Sequence, residues 1–297
     1  MKVKPLVAFL FLFVLTNGIG QENFKLISYN IWNGFEWGKD TVRQEKLLSW
    51  MDSKKPDVVA LQELCDYNDD KLTQDAKAWG HDYSVLLKTT GYSVGLTSKY
   101  PIVLKEKIIE GMHHGALHCS TNGFEIFVVH LSPSQWEKRS EEAEILSGII
   151  DLEIKAGNKV LVCGDFNALS PADADWYNSR ADLLQDARKR DEKNDQSENL
   201  REGNFDYSVM SKFYGVGLFD NASKFVGTGN DRISFPTQVF RKTETDKKKL
   251  IDRGTRIDYI LTSYNLVNQC IDTKIYNGPE AYFLSDHYPV ESSFILE

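Results

Sequence analysis

Short apolar stretches recur along the chain, and several of them end abruptly at a polar side chain. The stretches of this kind are Lys25–Asn30, Asp57–Glu63, Phe124–Leu131, Lys159–Gly164 and Arg256–Thr262. Apolar runs of about four to eight residues are typical of strands buried in a sheet. The pattern therefore predicts several strands that carry polar groups at their ends.

Helical patterns lie between these strands. Asp40 can cap one helix, and Ser132 or Ser134 can cap a longer one, Glu137–Lys155, whose apolar residues form one stripe. The charged run Arg188–Arg201 lacks such a stripe, and we expect a solvated loop there. Strands that alternate with helices predict a fold of the α/β class.

The first twenty residues have the pattern of a secretory signal peptide. Lys2 and Lys4 precede the apolar run Leu6–Leu15, and small residues precede Gln21. The run is too short to cross a bilayer, which takes about 20 apolar residues. We therefore expect a signal peptide at 1–20, one domain at 21–297, a secreted or periplasmic protein, and no stable membrane insertion.

The charge balance bears on the substrate. The formal net charge is −8, and removal of Lys2 and Lys4 with the signal peptide makes it −10. Such a protein is poorly suited to tight, sequence-independent binding of nucleic acid, although one local basic patch can suffice. Phe240–Lys249 is the most basic stretch of the sequence.

The spacing of the cysteines predicts neither a disulfide pattern nor a metal site. Cys65, Cys119, Cys163 and Cys270 are widely spaced and match no zinc-binding pattern. Export permits disulfides, but four cysteines allow several pairings and none is predicted. Cys163 lies in an apolar strand pattern, which favours a buried free thiol.

Polar residues of three chemical types converge on the predicted strand ends. They are Asn30, Glu63, His130, Asp165, Asn167, Asp258, Asp286 and His287. One site at which the strand ends meet explains them together. Carboxylates, imidazoles and amides without clustered cysteines suit a hard, oxygen-preferring cation and an anionic substrate.

The same residues lie in motifs that resemble the endonuclease/exonuclease/phosphatase superfamily, whose fold is that of deoxyribonuclease I. The matching segments occur in the family's order and span most of the chain after residue 20. They are Ser28–Asn30, Leu61–Glu63, Gly95–Ile102, Val129–Leu131, Gly164–Asn167, Arg256–Tyr259 and Ser285–Val290. The resemblance implies a four-layer α/β/β/α sandwich and a metal-dependent phosphoesterase.

The resemblance also implies roles around a metal ion. Glu63 corresponds to the principal Mg²⁺ ligand, Asn30 and Asp286 complete the metal environment, and Mn²⁺ can take the place of Mg²⁺. Asp165 is expected to orient or deprotonate the attacking water.

The remaining residues are expected to act on the phosphate. By the resemblance, His287 stabilises developing negative charge while Asp258 fixes its tautomer, and Asn167 and His130 hold phosphate oxygens. His114 stands where many family members carry Arg, Lys or Tyr, and we expect it to face the phosphate as well.

The sequence leaves more than one substrate and more than one reaction class open. Trp32 and its aromatic neighbours can form a lip on which a nucleobase stacks, or they can simply pack a loop onto the body. A phosphodiester of nucleic acid fits the resemblance, whereas the net charge of −10 favours a small or lipid phosphate ester, as in a phosphatase or phospholipase. We expect a monomer.

Two further alternatives come from other classes. Gly91-Tyr92-Ser93-Val94-Gly95 matches the nucleophile elbow of serine esterases, which requires a strand before it and a helix after it. The residues after it are β-like instead, which disfavours an esterase built on Ser93 with His287. A non-catalytic binding module would show a defective site, and here each expected polar position is filled.

Overall fold

Two six-stranded sheets form the centre of the molecule. The computed structural model describes residues 23–239 and 253–296. The strands are β1 Asn23–Asn30, β2 Val58–Gln62, β3 Tyr83–Leu86, β4 Gly95–Ser98, β5 Ile102–Ile108, β6 Ala116–Thr121, β7 Phe124–His130, β8 Lys159–Asp165, β9 Leu218–Asp220, β10 Asp258–Ser263, β11 Cys270–Ile275 and β12 Val290–Ile295. Sheet A has the order β11-β12-β1-β2-β4-β3, and sheet B has the order β5-β6-β7-β8-β10-β9.

Helices and short turns connect the strands. They are α1 Trp32–Gly38, α2 Thr41–Lys54, α3 Asp69–Ala78, α4 Trp136–Lys155, α5 Ala174–Asn178, α6 Ala181–Lys193, α7 Ser208–Gly215 and α8 Asn221–Phe225. The α2 and α3 helices pack outside sheet A, and α4 and α7 pack outside sheet B. The predicted four-layer α/β/β/α sandwich is confirmed.

The sheets are held together by an apolar core between them. Phe24 of β1 stacks on Phe124 of β7 with ring centroids 4.5 Å apart, and Phe294 of β12 packs against both rings. All three side chains are buried. A second core under α4 includes Leu146 and Ile150, which lie on the predicted apolar stripe.

Each sheet contains one parallel pair, and these pairs position the site. β1 pairs with β2 in sheet A, and β7 pairs with β8 in sheet B. Parallel neighbours end at the same edge of a sheet. Asn30 therefore lies beside the end of β2, while His130 lies beside Asp165 across the β7–β8 ladder.

Two local predictions are wrong. The expected loop at Arg188–Arg201 begins as the last half of α6, because Leu183 and Ala187 bury one narrow face and polar contacts hold the rest. The α4 helix is capped by neither Ser132 nor Ser134. Its N-cap is Gln135, and the Trp136 N–H donates to the Glu198 carbonyl at 2.8 Å instead.

The sequence also led to expectations about the cysteines, the N-terminal segment, the basic stretch and membrane insertion. The four cysteines are buried free thiols, as expected for Cys163. The signal peptide at 1–20 and most of the basic stretch Phe240–Lys249 lie outside the described residues. In the described part of the chain, no helix combines the length and the apolar character that crossing a bilayer requires.

Gly164 allows β8 to approach β7 closely just before Asp165. Its φ is +144°, and a Cβ there would lie 1.9 Å from the Val129 carbonyl oxygen. Only glycine fits, because both the backbone angle and the contact exclude a side chain.

We expect Gly164→Ala to destabilise the fold by about 2 kcal/mol or more, because the added methyl group forces β7 and β8 apart. Gly148→Ala is the matched control. Gly148 lies exposed in α4 with open space around its Cα, so alanine should be neutral or stabilise by up to about 1 kcal/mol. Urea unfolding of both variants measures the difference, and equal midpoints would contradict the close approach.

Candidate active site

The side-chain amide of Asn30 lies at the centre of the site. Its nitrogen is 3.2 Å from Glu63 Oε1, 3.0 Å from Asp165 Oδ2 and 3.5 Å from His287 Nε2. Its oxygen accepts the Trp32 N–H at 3.1 Å. Asn30 thus connects polar groups from both sheets and from the loop that precedes β12.

Left-handed backbone conformations position a hydrogen-bond donor next to the Glu63 carboxylate. Glu63 itself has a φ of +60°, and Asn33–Trp37 of α1 all have left-handed φ and ψ values. This turn directs the Asn33 N–H to Glu63 Oε2 at 2.6 Å. Gly34 allows the close contact, since a Cβ there would lie 2.0 Å from the Cys65 carbonyl oxygen. Left-handed conformations are unfavourable for most residues and concentrate at functional sites.

His287 and Asp258 form a buried pair. His287 Nδ1 lies 2.9 Å from Asp258 Oδ2, and its Nε2 faces the cavity. Burial by itself lowers the pKa of His287, but the carboxylates of Asp258, Asp286 and Asp165 outweigh it and raise this pKa well above the usual value. The imidazole is therefore held in its protonated form.

Asp165 faces the same cavity from sheet B. Its Oδ1 accepts the Asn167 N–H at 2.9 Å, and its Oδ2 lies 3.6 Å from His130 Nε2 and 3.7 Å from His287 Nε2. Burial raises the pKa of Asp165, and the neighbouring Asp258 carboxylate adds to that effect. Burial likewise raises the pKa of Asp286 to about 6.

Imidazoles form one wall of the cavity. His114 stacks on His130 with ring centroids 4.2 Å apart, and His113 lies against His114 at 4.3 Å. Burial lowers the pKa of His114 to about 3 and that of His130 well below its usual value, so both rings are neutral. The buried Nδ1 of His130 has no hydrogen-bond partner among the described residues.

Two buried charges of α4 hold this wall, and sequence reasoning missed both. Glu142 accepts the His113 N–H at 2.5 Å and the Ser132 N–H at 2.7 Å, while Arg139 donates to the Ser132 carbonyl at 3.0 Å. The sequence places Arg139 and Glu142 among the charged residues of an amphipathic helix, which gives no sign that they are buried.

The structure brings the sequence-predicted site residues together. Their cavity has a volume of about 520 Å³. It is lined by Trp32, Asn33, Glu63, Tyr92, His113, His114, His130, Pro133, Asp165, Asn167, Phe235, Ile257, Asp286 and His287. Of these, no sequence pattern pointed to Asn33 or Phe235, whereas His113 lies beside the predicted His114 in a stretch rich in imidazoles. Phe235 packs on the His287 ring at 4.8 Å.

The charges of this cavity suit a divalent metal ion. Glu63, Asp165, Asp258 and Asp286 face one imidazolium, and the described lining includes no Lys or Arg. The carboxylates of Glu63 and Asp286 both line the cavity, and their repulsion adds to the effect of burial in raising the pKa of Asp286. Hard dications prefer such oxygen-rich donor sets, and the residues present therefore fit a bound metal ion.

Ser93 does not have the environment of a catalytic serine. It is buried, its hydroxyl accepts the Lys88 N–H at 3.1 Å and donates to the Val94 carbonyl at 3.3 Å, and β4 follows it. The strand–turn–helix that the nucleophile elbow requires is not formed at this position.

Comparisons with known proteins agree with this geometry. A sequence model of the endonuclease/exonuclease/phosphatase family matches residues 27–287. Exodeoxyribonuclease III of Haemophilus influenzae is 26% identical over an alignment of 286 residues that covers 91% of this chain and 99% of that protein.

Solved structures share the fold at lower identity. An AP endonuclease from Archaeoglobus fulgidus has a TM-score of 0.65 at 18% identity. A variant of the 3′ phosphatase NExo from Neisseria, bound to a product DNA hairpin, has a TM-score of 0.66 at 17% identity. Each comparison covers 92% of this chain and 100% of the other.

The fold and the site define a metal-dependent phosphoric ester hydrolase. The sandwich brings carboxylates and imidazoles from both sheets into one cavity. The chain belongs to the endonuclease/exonuclease/phosphatase family.

We expect Asp258→Asn to lower the pKa of His287, because the amide removes the nearest negative charge that stabilises the imidazolium. Nitrogen-detected NMR titration of the metal-free protein measures this change. His81 is an internal control, since burial lowers its pKa to about 4 and it lies between Thr97 and Pro56. An unchanged His287 titration would contradict the proposed pair.

Proposed function

We propose that the protein is a secreted, Mg²⁺-dependent phosphodiesterase of the nuclease type. The observation that carries the proposal is the convergence of Asn30, Glu63, Asp165 and His287 in a cavity whose described lining has no Lys or Arg. A phosphate group can enter such a cavity only if a cation offsets the carboxylates. The names of the relatives, an exodeoxyribonuclease and an AP endonuclease, support a nucleic-acid substrate.

Glu63 and Asp286 would hold the metal ion, and Asn30 would complete its environment. Both carboxylates line the cavity, and their mutual repulsion adds to the raised pKa of Asp286. The Asn33 N–H and the Asn30 amide hold the two Glu63 oxygens in place. When bound, Mg²⁺, or Mn²⁺ in its place, would polarise the phosphate and neutralise its charge.

Asp165 would position the attacking water and accept its proton. One oxygen is held by the Asn167 N–H, and the other faces the cavity beside Asn30. Its raised pKa suits a general base, because a carboxylate with a pKa nearer neutrality takes a proton more readily. The water oxygen would then bond to phosphorus as the ester P–O bond breaks.

His287 would stabilise the negative charge that develops on the phosphate, because Asp258 and the other carboxylates keep it protonated. Asn167, His130 and His114 would contact other phosphate oxygens. The Asn167 side chain also donates to the Leu131 carbonyl at 3.0 Å, which fixes its orientation. Trp32 lines the cavity beside Asn33, where it can contact the substrate outside the phosphate.

We expect bis(p-nitrophenyl) phosphate and plasmid DNA to be hydrolysed with Mg²⁺ and not with EDTA. Asp165→Asn should lower kcat by roughly a hundredfold or more, because general-base assistance contributes about 10²–10⁴. Ser93→Ala is the matched control and should keep the wild-type rate. Turnover that persists in EDTA and in Asp165→Asn, but disappears in Ser93→Ala, would replace this mechanism with that of a serine esterase.

The same assay separates the substrate alternatives. Hydrolysis of p-nitrophenyl phosphate in preference to the diester would indicate a phosphatase, and release of a phosphorylated headgroup from vesicles would indicate a phospholipase. Absence of metal-dependent turnover on all of these esters would favour a non-catalytic binding module.

For export, we expect the secreted protein to begin at or near Gln21, because a signal peptidase cleaves after small residues such as Gly18 and Gly20. Intact-mass spectrometry of protein from the medium or periplasm measures the new terminus. Leu10→Arg breaks the apolar run and should retain the protein in the cell. Export of that variant at the wild-type level would argue against the signal peptide.

A further inference from the structure

Three adjoining cavities connect the catalytic side chains to α6. The catalytic cavity shares Pro133, Asn167, Phe235 and Ile257 with a second cavity of about 190 Å³. The second shares Arg190 with a third cavity of about 220 Å³. We call this row of three adjoining cavities the α6 track.

The far end of the α6 track is basic. Lys189, Arg190 and Lys193 of α6 line the third cavity together with Arg253, and Asp186 is the one carboxylate among its described lining residues. Within residues 23–239 and 253–296, none of these four cations makes an ion pair or hydrogen bond through its side chain. Unpaired, exposed cations are available to an anionic partner.

The middle of the α6 track combines an apolar wall with polar side chains, among them Arg139 and Arg190. Leu169, Leu200, Phe205 and Phe235 form part of its wall. Its two carboxylates already have partners. Asp191 accepts the N–H groups of Asn199 and Leu200 at 2.9 Å each, and Asp206 accepts the hydroxyl of Ser208 at 2.7 Å.

We propose that the α6 track binds a nucleic-acid strand whose scissile phosphate lies in the catalytic cavity. A sugar or base of that strand would lie against the apolar wall of the middle cavity, and a neighbouring phosphate would lie among Arg190, Lys193 and Arg253. The order of anionic site, apolar wall and cationic site matches the alternation of phosphate and ring along a polynucleotide. This inference rests on the proposed phosphodiesterase function and narrows its substrate class.

The net charge of the chain does not oppose this assignment. Electrostatic interactions between exposed charges are screened over about 8 Å at physiological ionic strength. The cations of the α6 track therefore act on a nearby phosphate more strongly than the acids on remote surfaces do. A small phosphate ester would end inside the catalytic cavity and would leave these cations unused.

Binding of a fluorescein-labelled oligonucleotide tests the proposal directly. In an Asp165→Asn background with Mg²⁺, fluorescence anisotropy over a salt series should show that Arg190→Gln/Lys193→Gln raises Kd at least roughly tenfold at low salt. The slope of log Kd against log salt should fall by about 0.7 for a single strand, since both cations contact the same phosphate. The matched control is Lys46→Gln/Lys77→Gln, which removes the same charge from α2 and α3 and should change neither quantity.

Steady-state kinetics separate this inference from the proposed function. In the active enzyme, Arg190→Gln/Lys193→Gln should lower kcat/KM for the oligonucleotide relative to kcat/KM for bis(p-nitrophenyl) phosphate by roughly tenfold or more. An unchanged ratio, with unchanged binding, would overturn the α6 track while the phosphodiesterase stands. Loss of all metal-dependent hydrolysis in the wild type would overturn the phosphodiesterase, and the anisotropy result would still decide whether the track binds nucleic acid. A third outcome would point to a different ligand. If the wild type binds phosphatidylglycerol vesicles but no oligonucleotide, and Arg190→Gln/Lys193→Gln weakens the vesicle binding by the same factor, the track binds an anionic lipid surface instead of nucleic acid.

Discussion

The hydrogen bonds of the Asn30 amide connect the two sheets within the candidate active site. Asn30 ends β1 of sheet A, and its nitrogen reaches Asp165 of sheet B as well as Glu63. The β1–β2 register pairs Asn30 with Gln62. A slip of β1 by one residue would turn Asn30 to the other face of the sheet. The relative position of the candidate catalytic groups therefore depends on strand register and on the aromatic core that holds the sheets face to face.

The same cluster of polar groups makes an unfavourable contribution to the stability of the folded state. Asp165 and Asp258 are almost fully buried next to Asp286 with a single imidazolium among them, and burial of like charges is unfavourable. Glu63 and Asn167 add left-handed backbone conformations. The apolar cores on both sides of sheet B offset these costs, and a bound dication would relieve the repulsion. The site is thus organised for a metal and a phosphate rather than for stability.

Features of the fold and site that depend on apolar patterns could be predicted from the sequence. Features that depend on long-range polar contacts could not. Asn30, His130 and Asp165 were identifiable because each ends an apolar strand pattern. The course of α6 was not, because only Leu183 and Ala187 are buried along it. Likewise, nothing in the local sequence distinguishes Glu142 from the exposed acids of α4, since its partners are backbone groups 10 and 29 residues away.

The distribution of charge has a consequence for catalysis. Where the reacting phosphate is proposed to bind, the described lining offers carboxylates, an amide, neutral imidazoles and the imidazolium of His287, whereas cations with no side-chain partner among the described residues lie at the far end of the α6 track. Strong attraction at the reacting phosphate would stabilise the bound substrate as much as the transition state and would not raise kcat. Attraction at a neighbouring phosphate instead contributes to binding and positioning without touching the reacting group. In the proposed mechanism, this separation would leave the metal ion and His287 to act on the charge that develops as the P–O bond breaks.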